Sequence, residues 1–568
     1  MSVLPLVTRF ACSMIVASIL TLSACDHTST EIAGVPTILE GSSNLSSLQP
    51  TQRVRDWNAL SDSELWNYLV ESDTVAAVGL RSPGTSKGYS KGRVLITPSD
   101  WAAAKAAVRA LTGVHFIKAD TIIPWVRVKP RDVASLQRLR SLPFIQYVEP
   151  AYITGNNIWA SGCSQEGWPH PLDYTSSGDI LPEIYGMLRI DRAWAYANGT
   201  GIWIGLVDTG ADTNVPELSW NFQSTGLPYR DIWRTNTDGT SNQQDPPCTH
   251  GTRLAGVIAA PMNSSSIVGV AWGAHLASVK SLNSVGAVNS TDAQQGIRDA
   301  GNRGAKVINM SWQSFNWMNN VEQEVEEWYY NRDVVFVGAA GTWRPCDLTS
   351  SNNVMFPAEM YEVLAVSPSG RDGSRPCTAG YGPQLDVITY QDQPTTAVGG
   401  GIASVGESSH ASALVAGVAT LVRQRFPSLT NRQVYDRIIN TSGLSCGMPS
   451  AWHRLVNAEA AVGGLCPAGT IGPTSISFDN GEPAKDVSLQ VSVTGGNGPI
   501  EYTWSNGATG TSTVFSVPNW GSAYDYYAYV SVRDGGSSNP RLTLTHVIHV
   551  AGPPPPCEPV PPQLQCNP

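Results

Sequence analysis

Charge is scarce in this sequence. Asp, Glu, Lys and Arg make up 14% of the 568 residues, and the formal balance is −10. A chain so poor in charge, with 53 Gly and 39 Pro, is neither a coiled coil nor a wholly disordered polymer. Its acidic balance argues against a nucleic-acid partner. Beyond the first 25 residues no apolar run is long enough to span a bilayer. No CxxC pair and no Cys/His cluster at zinc spacing occurs, so no metal site is read.

What is present is ample apolar material, 42% of the chain, and a length that predicts three or four folded units. The charges are divided unevenly. Residues 51–152 carry 14 Lys and Arg against 9 Asp and Glu, whereas 153–568 carry 21 against 34. A basic segment ahead of an acidic body is a candidate internal partner, since opposite fields favour association.

The first 25 residues read as an export signal: Arg9, the apolar stretch FACSMIVASILTL, then small residues up to Cys25. Leu22-Ser23-Ala24-Cys25 resembles a bacterial lipobox, which implies a lipidated Cys25. With Cys12 and Cys25 set aside, eight cysteines remain, and export permits disulfides. Pairing by sequence neighbours gives Cys346–Cys377, Cys446–Cys466 and Cys557–Cys566, leaving Cys163 with Cys248. That is one choice among 105 connectivities.

Hydrophobic periodicity divides the rest. Residues 26–60 form a Ser/Thr/Gly-rich tether. In 61–152, strand-like 93–97 precedes a helix capped by Ser99, and strands at 114–120 and 123–130 alternate in polarity. A helix over 132–142 and a strand at 144–150 follow, a βαββαβ order that predicts a ferredoxin-like unit. Residues 153–182 read as a linker. From 183 to 466, apolar runs at 202–208, 305–311, 334–340 and 362–368 alternate with helical patterns such as 409–426. This predicts a parallel α/β sheet flanked by helices. Between 467 and 552 the period becomes two, predicting a small Ig-like β-sandwich with Trp504 in its core. Residues 553–568 are a Pro-rich tail.

Reactive side chains stand at element ends in the middle region: Asp208 in VDTG, His250 in HGTRLAGVIAA, and Ser408 and Ser409 in ESSHASALVAG. Together they offer a carboxylate, a base and a nucleophile on one scaffold. The order Asp, His, Ser, with intervals of 42 and 159 residues, resembles the subtilisin family of serine peptidases. SIVGVAWGAHLASVKSL (266–282), VINMSW (307–312), VFVGAAG (335–341) and RLVNAEAAV (454–462) strengthen the likeness, which covers roughly 183–465. Counting back from Val415-Ala416-Gly417 in the family pattern favours Ser409 over Ser408 as nucleophile. The resemblance implies that His250 is the general base and Asp208 its orienting partner. It also implies an oxyanion site at the Ser409 N–H and at Thr342. An extended peptide would lie along Ser311-Trp312-Gln313 and Gly286-Ala287-Val288, with Ala339, Ala340 and Gly341 lining the first specificity pocket. No cofactor is implied for the chemistry. Calcium often stabilises the family, which makes a structural calcium an expectation here, but no segment assigns its ligands.

Three positions depart from the family pattern. Thr342 replaces the usual oxyanion Asn, Arg253 a common His, and Glu407 a Gly ahead of the nucleophile. The segment LPFIQYVEPAY resembles the end of a subtilisin-type propeptide, so 61–152 is expected to act as an inhibitor removed by self-cleavage between Tyr152 and Pro182. A lipid on Cys25 would then anchor the precursor to a membrane, and cleavage would release the catalytic part. Protein or peptide substrates are the expected partners. A rival reading is a catalytically weak scaffold that binds through its β-sandwich.

Overall fold

Strands buried on both faces read as unbroken apolar runs, and seven such strands form the central sheet. They are β1 (Trp203–Asp208), β2 (Ile232–Asn236), β3 (His275–Lys280), β4 (Val307–Met310), β5 (Val335–Ala339), β6 (Val363–Ser369) and β7 (Val387–Tyr390). Their order is β7-β6-β5-β4-β1-β3-β2, and every neighbouring pair is parallel. The chain leaves β1 for β2 and β3 on one side, then crosses to β4 on the other. The carboxyl ends beside β1 therefore flank a switch in strand order, where open α/β sheets bind ligands.

Helices α1 (His250–Ala259), α2 (Ser290–Arg303), α3 (Asn319–Arg332), α4 (Glu407–Arg425) and α5 (Asn431–Thr441) accompany the sheet. The pairs α1–α4 and α2–α3 each pack together and against strands. α4 is buried along nearly its whole length, as a helix apolar all round must be. A hairpin of Gln393–Thr396 and Ile402–Val405 leads into it.

The structure is a computed structural model. It describes residues 54–85, 96–151, 172–174, 178–212, 214–218, 232–237, 249–264, 266–282, 289–343, 353–443, 454–463, 466–471, 473, 475–477, 483–494, 499–519, 523–534 and 541–551. The export signal with Cys25, the tether up to residue 53, most of 153–182, Gly286, Ala287, Val288 and the Pro-rich tail lie outside the described residues. So do Cys163, Cys248, Cys346, Cys446, Cys557 and Cys566. Cys377 is disulfide-bonded.

The N-terminal unit has the expected βαββαβ order, with two corrections. Its first strand is Ala76–Leu80, not 93–97; Ile96 and Thr97 are not in a strand, and 93–95 lie outside the described residues. Likewise Thr97, not Ser99, caps the helix Pro98–Arg109: its side chain accepts from Asp100 N, and Pro98 suits the first turn. A helix Asp62–Glu71, closed by a Ser61/Glu64 capping box, precedes the unit and was not foreseen. Strands Val114–Ala119, Trp125–Pro130, Ala76–Leu80 and Ile145–Pro150 pair in that order, all antiparallel.

This unit meets the central domain at α2 and α3. The Glu149 carboxylate accepts from Asn319 N (2.9 Å), Asn319 Nδ2 (2.6 Å) and Asn320 N (3.2 Å) at the start of α3. Met318, the residue capping α3, supplies no side-chain bond of its own. Asp120 pairs with Arg298 of α2 at 2.7 Å, and Trp57 Nε1 donates to Trp317 O at 2.8 Å.

After α5, strands form two further sheets. Cys466–Ile471, Ala484–Thr494 and Ser512–Pro518 make one; Ser475–Ser477, Arg541–Ala551, Tyr524–Asp534 and Ile500–Trp504 make the other. Val487, Leu489 and Val491 join Val530, Val532, Ile548 and Val550 in a shared core that includes Trp504, as expected.

Candidate active site

Asp208 closes β1 and His250 opens α1, and the turn between them is built for close approach. Thr209 N donates to Asp208 Oδ1 (2.8 Å), while Thr209 Oγ1 accepts from Gly251 N (2.8 Å). Asp212 N donates to Thr252 Oγ1 at 2.8 Å. Gly251 is required here, because a Cβ would fall on the Gly210 carbonyl oxygen, far inside contact distance. So fastened, His250 Nδ1 sits 2.7 Å from Asp208 Oδ1, with both side chains wholly buried. A carboxylate can only accept, so Nδ1 carries a proton and donates it to Asp208. Among the described residues Nε2 has no hydrogen-bond partner.

Ser409 lies in the first turn of α4, where backbone N–H groups lack intrahelical acceptors and the helix dipole is positive. Its Oγ donates to Ser311 O (3.1 Å), and Ser311 Oγ donates back to Ser409 O (2.9 Å). Ser311 directly follows β4, which pairs with β1. The strand ladder thus carries Asp208 and the Ser409 anchor to one row of carboxyl ends. In this arrangement the Ser409 proton rests on a main-chain carbonyl, not on His250.

Thr342 follows β5, the strand beyond β4. Its Oγ1 lies 3.1 Å from Ser408 Oγ, which turns Ser408 away from the Ser311 side occupied by Ser409. Gln313 grips the Thr342 main chain: Thr342 N donates to Gln313 Oε1 (2.6 Å), and Gln313 Nε2 donates to Thr342 O (3.0 Å). Ser311, Trp312, Gln313, Ala339 and Ala340 are all buried. Ser408 as a partner of Thr342, and the side chain of Gln313, were missed in the sequence. Adjacency to Ser409 was a signal for Ser408, but it marked that residue only as a rival nucleophile.

His410 points elsewhere. Its Nε2 meets Gln393 Oε1 at 3.0 Å, and burial, with the Arg371 charge, pushes its pKa down to about 3. It is a neutral packing residue. Among the described residues no group of three or more His, Cys, Asp or Glu is placed to hold a metal ion.

Comparison with known proteins decides the family. The Subtilase family matches residues 199–482. Subtilisin Savinase of Lederbergia lenta is 32% identical over 282 residues, 49% of this chain and 97% of that protein. This chain belongs to the subtilase family. An alkaline protease of Shouchella clausii is 32% identical over 294 residues, 51% of this chain and 72% of its own. A thermostable alkaline protease of Halalkalibacterium halodurans is 36% identical over 265 residues, covering 46% and 68%. As a subtilase the protein is a serine peptidase, and its substrates are proteins or peptides.

The subtilase match runs past residue 466 to 482, so it takes in the first strands of the C-terminal sheets. Of the three departures from the family pattern, Glu407 has a visible backbone consequence. Its φ is 60°, in the left-handed region where glycine is at ease and other residues are strained. Arg253 is buried within α1, where its carbonyl accepts from Thr395 Oγ1 at 2.6 Å.

Proposed function

We propose that this subtilase is an exported serine endopeptidase that works through an acyl-enzyme and is made as a self-processed zymogen. The observation that carries the reading is the wholly buried 2.7 Å contact between Asp208 and His250, beside a strand end that holds Ser409. Turning from Ser311 O toward His250 Nε2, the Ser409 hydroxyl gives up its proton as Oγ attacks the peptide carbonyl. His250 then returns a proton to the leaving amine, while Asp208 holds the ring and steadies its positive form. The oxyanion is met by the Ser409 N–H and the Thr342 hydroxyl. The peptide lies extended along Ser311–Gln313 and Gly286–Val288. These steps draw on side chains and main-chain donors alone.

Residues 61–152 act as the inhibitor, held by the Glu149 contact to α3 and the Asp120 contact to α2, with Trp57 just ahead of them bonded to Trp317 O. Cleavage between Tyr152 and Pro182 leaves the lipid of Cys25 on the inhibitor, so the precursor is membrane-anchored at the periplasm or cell surface and the catalytic part is released. N-terminal sequencing tests this: wild type yields a new terminus within 152–182, and Ser409→Ala stays uncut. Equal cutting of Ser409→Ala, or lipid on the mature catalytic chain, contradicts it.

Two observations favour a second reading. The Ser409 hydroxyl is bonded to Ser311 O, and Thr342 offers a shorter arm than an Asn. A catalytically weak scaffold that binds through its β-sandwich would look like this. A fluorophosphonate probe separates the two: labelling that disappears in Ser409→Ala supports the enzyme, and no labelling of processed protein supports the scaffold.

A further inference from the structure

We infer that Gln313 and Met355 set the size of side chain accepted beside the attacked carbonyl, restricting that residue to glycine or alanine. The inference rests on the peptidase reading and adds a substrate class to it.

The slot concerned lies between two neighbouring strand ends. β4 and β5 pair as far as Met310 and Gly338, and beyond the ladder their chains continue as 311–313 and 339–342. The nucleophile region touches both walls. Ser409 Oγ bonds to Ser311 O on one side, and Ser408 Oγ meets Thr342 Oγ1 on the other. A carbonyl placed for attack by Ser409 carries its own Cα one bond away, so the adjoining side chain must enter between these walls.

A side chain of the first wall is bonded to the second. The Gln313 carboxamide reaches from 311–313 to 339–342 and bonds to both main-chain groups of Thr342, at 2.6 and 3.0 Å. Met355 packs against the same wall. Its backbone N donates to Ala340 O at 3.0 Å, and its side chain is fully buried. Seen from Gly341, whose φ is 109°, a Cβ would meet Met355 Cγ at 2.9 Å, Met355 Sδ at 3.0 Å and Gln313 Oε1 at 3.2 Å. The two side chains thus converge on the wall that an entering group must pass.

A hydrogen or a methyl group needs no depth. A leucine or phenylalanine must displace Gln313, leaving a buried N–H and C=O of Thr342 unpaired. It must also push Met355, the more adaptable of the two. Discrimination against the large residue compounds these costs, and a pocket that rejects even one methylene does so by about tenfold or more.

The test uses peptides that differ only at the residue supplying the attacked carbonyl: Gly, Ala, Leu or Phe. The processed protein is expected to cleave the Ala peptide at least about a hundredfold better than the Phe peptide in kcat/KM. Gln313→Gly combined with Met355→Ala should narrow that ratio by about tenfold or more, with fluorophosphonate labelling showing that the variant is folded. Equal cleavage of Ala and Phe peptides by the wild type overturns the inference, as does an unchanged ratio in the labelled variant. Should the double variant fail to fold, the wild-type ratio and Gln313→Gly alone decide. A wild-type protein that neither labels nor cleaves any peptide overturns the peptidase reading and this inference together.

Discussion

The half of the site that holds Asp208 and His250 and the half that holds Ser409 and Thr342 share one row of strand ends, yet they are finished differently. On the Asp208 side, every visible device serves alignment. Thr209 and Thr252 fasten the start of α1, Gly251 permits the approach, and the paired side chains are wholly buried. On the Thr342 side, Glu407 is held at a φ of 60°, and the Gln313 carboxamide is bonded to the Thr342 main chain. The contrast separates two demands. On the proposed reading the Asp208 side carries proton transfer, which tolerates little error in distance. On that reading the Thr342 side serves to stabilise an oxyanion and size a pocket, tasks that several side chains can meet.

Removing Ser409 or His250 breaks the comparison outright. Ser409→Ala or His250→Ala should lower kcat by about a million-fold, the scale seen when either member of a subtilisin triad is lost. Peptide hydrolysis by the processed protein measures it; a loss of tenfold or less would mean that the proton path lies elsewhere. The Thr342 half should respond less. Thr342→Ala is expected to lower kcat by about a hundredfold with KM little changed, and Thr342→Asn to raise kcat. Should both leave kcat untouched, Thr342 has no part in the oxyanion site.

Gly251→Ala sharpens the contrast from the fastened side. A methyl group there must displace the Gly210 carbonyl or the start of α1, costing about 1–3 kcal/mol of stability and lowering kcat along with it. Thermal melting and kinetics together check this, and an unaffected kcat would show that the Asp208–His250 alignment is looser than described.

The smallest expected effect concerns the N-terminal unit. Burial lifts Glu149 to about 7, although three N–H donors pull the other way. Between about 4.5 and 7 the folded protein therefore keeps a proton that the unfolded chain has lost. Its stabilising contribution is full below the unfolded value and disappears as pH rises through 7, by up to about tenfold in the folding equilibrium per pH unit. Glu322, raised by burial to about 8, acts in the same direction. In the uncut Ser409→Ala chain the melting temperature should fall from pH 5 to pH 8, and Glu149→Gln should flatten part of that slope. Identical slopes would remove Glu149 from the account.

The two halves were also unequally legible in the sequence. Asp208, His250 and Ser409 stand out because each is embedded in small residues that close packing demands, and strands such as 202–208 and 334–340 announce themselves by burial on both faces. The central strand Ala76–Leu80 did not: its two alanines and glycine carry little β-propensity, and its burial comes wholly from its neighbours. Nor could a sequence reveal that Gln313 reaches Thr342, 29 positions away, or that Met355 faces the same slot. Such contacts depend on where two strands end relative to each other, and no periodicity encodes that.

The most direct test of the central claim is to map a fluorophosphonate adduct by peptide mass spectrometry on the processed protein. The account predicts a single phosphonylated residue, Ser409, with the label lost in His250→Ala. A label on Ser408, or one that survives the loss of His250, would contradict it.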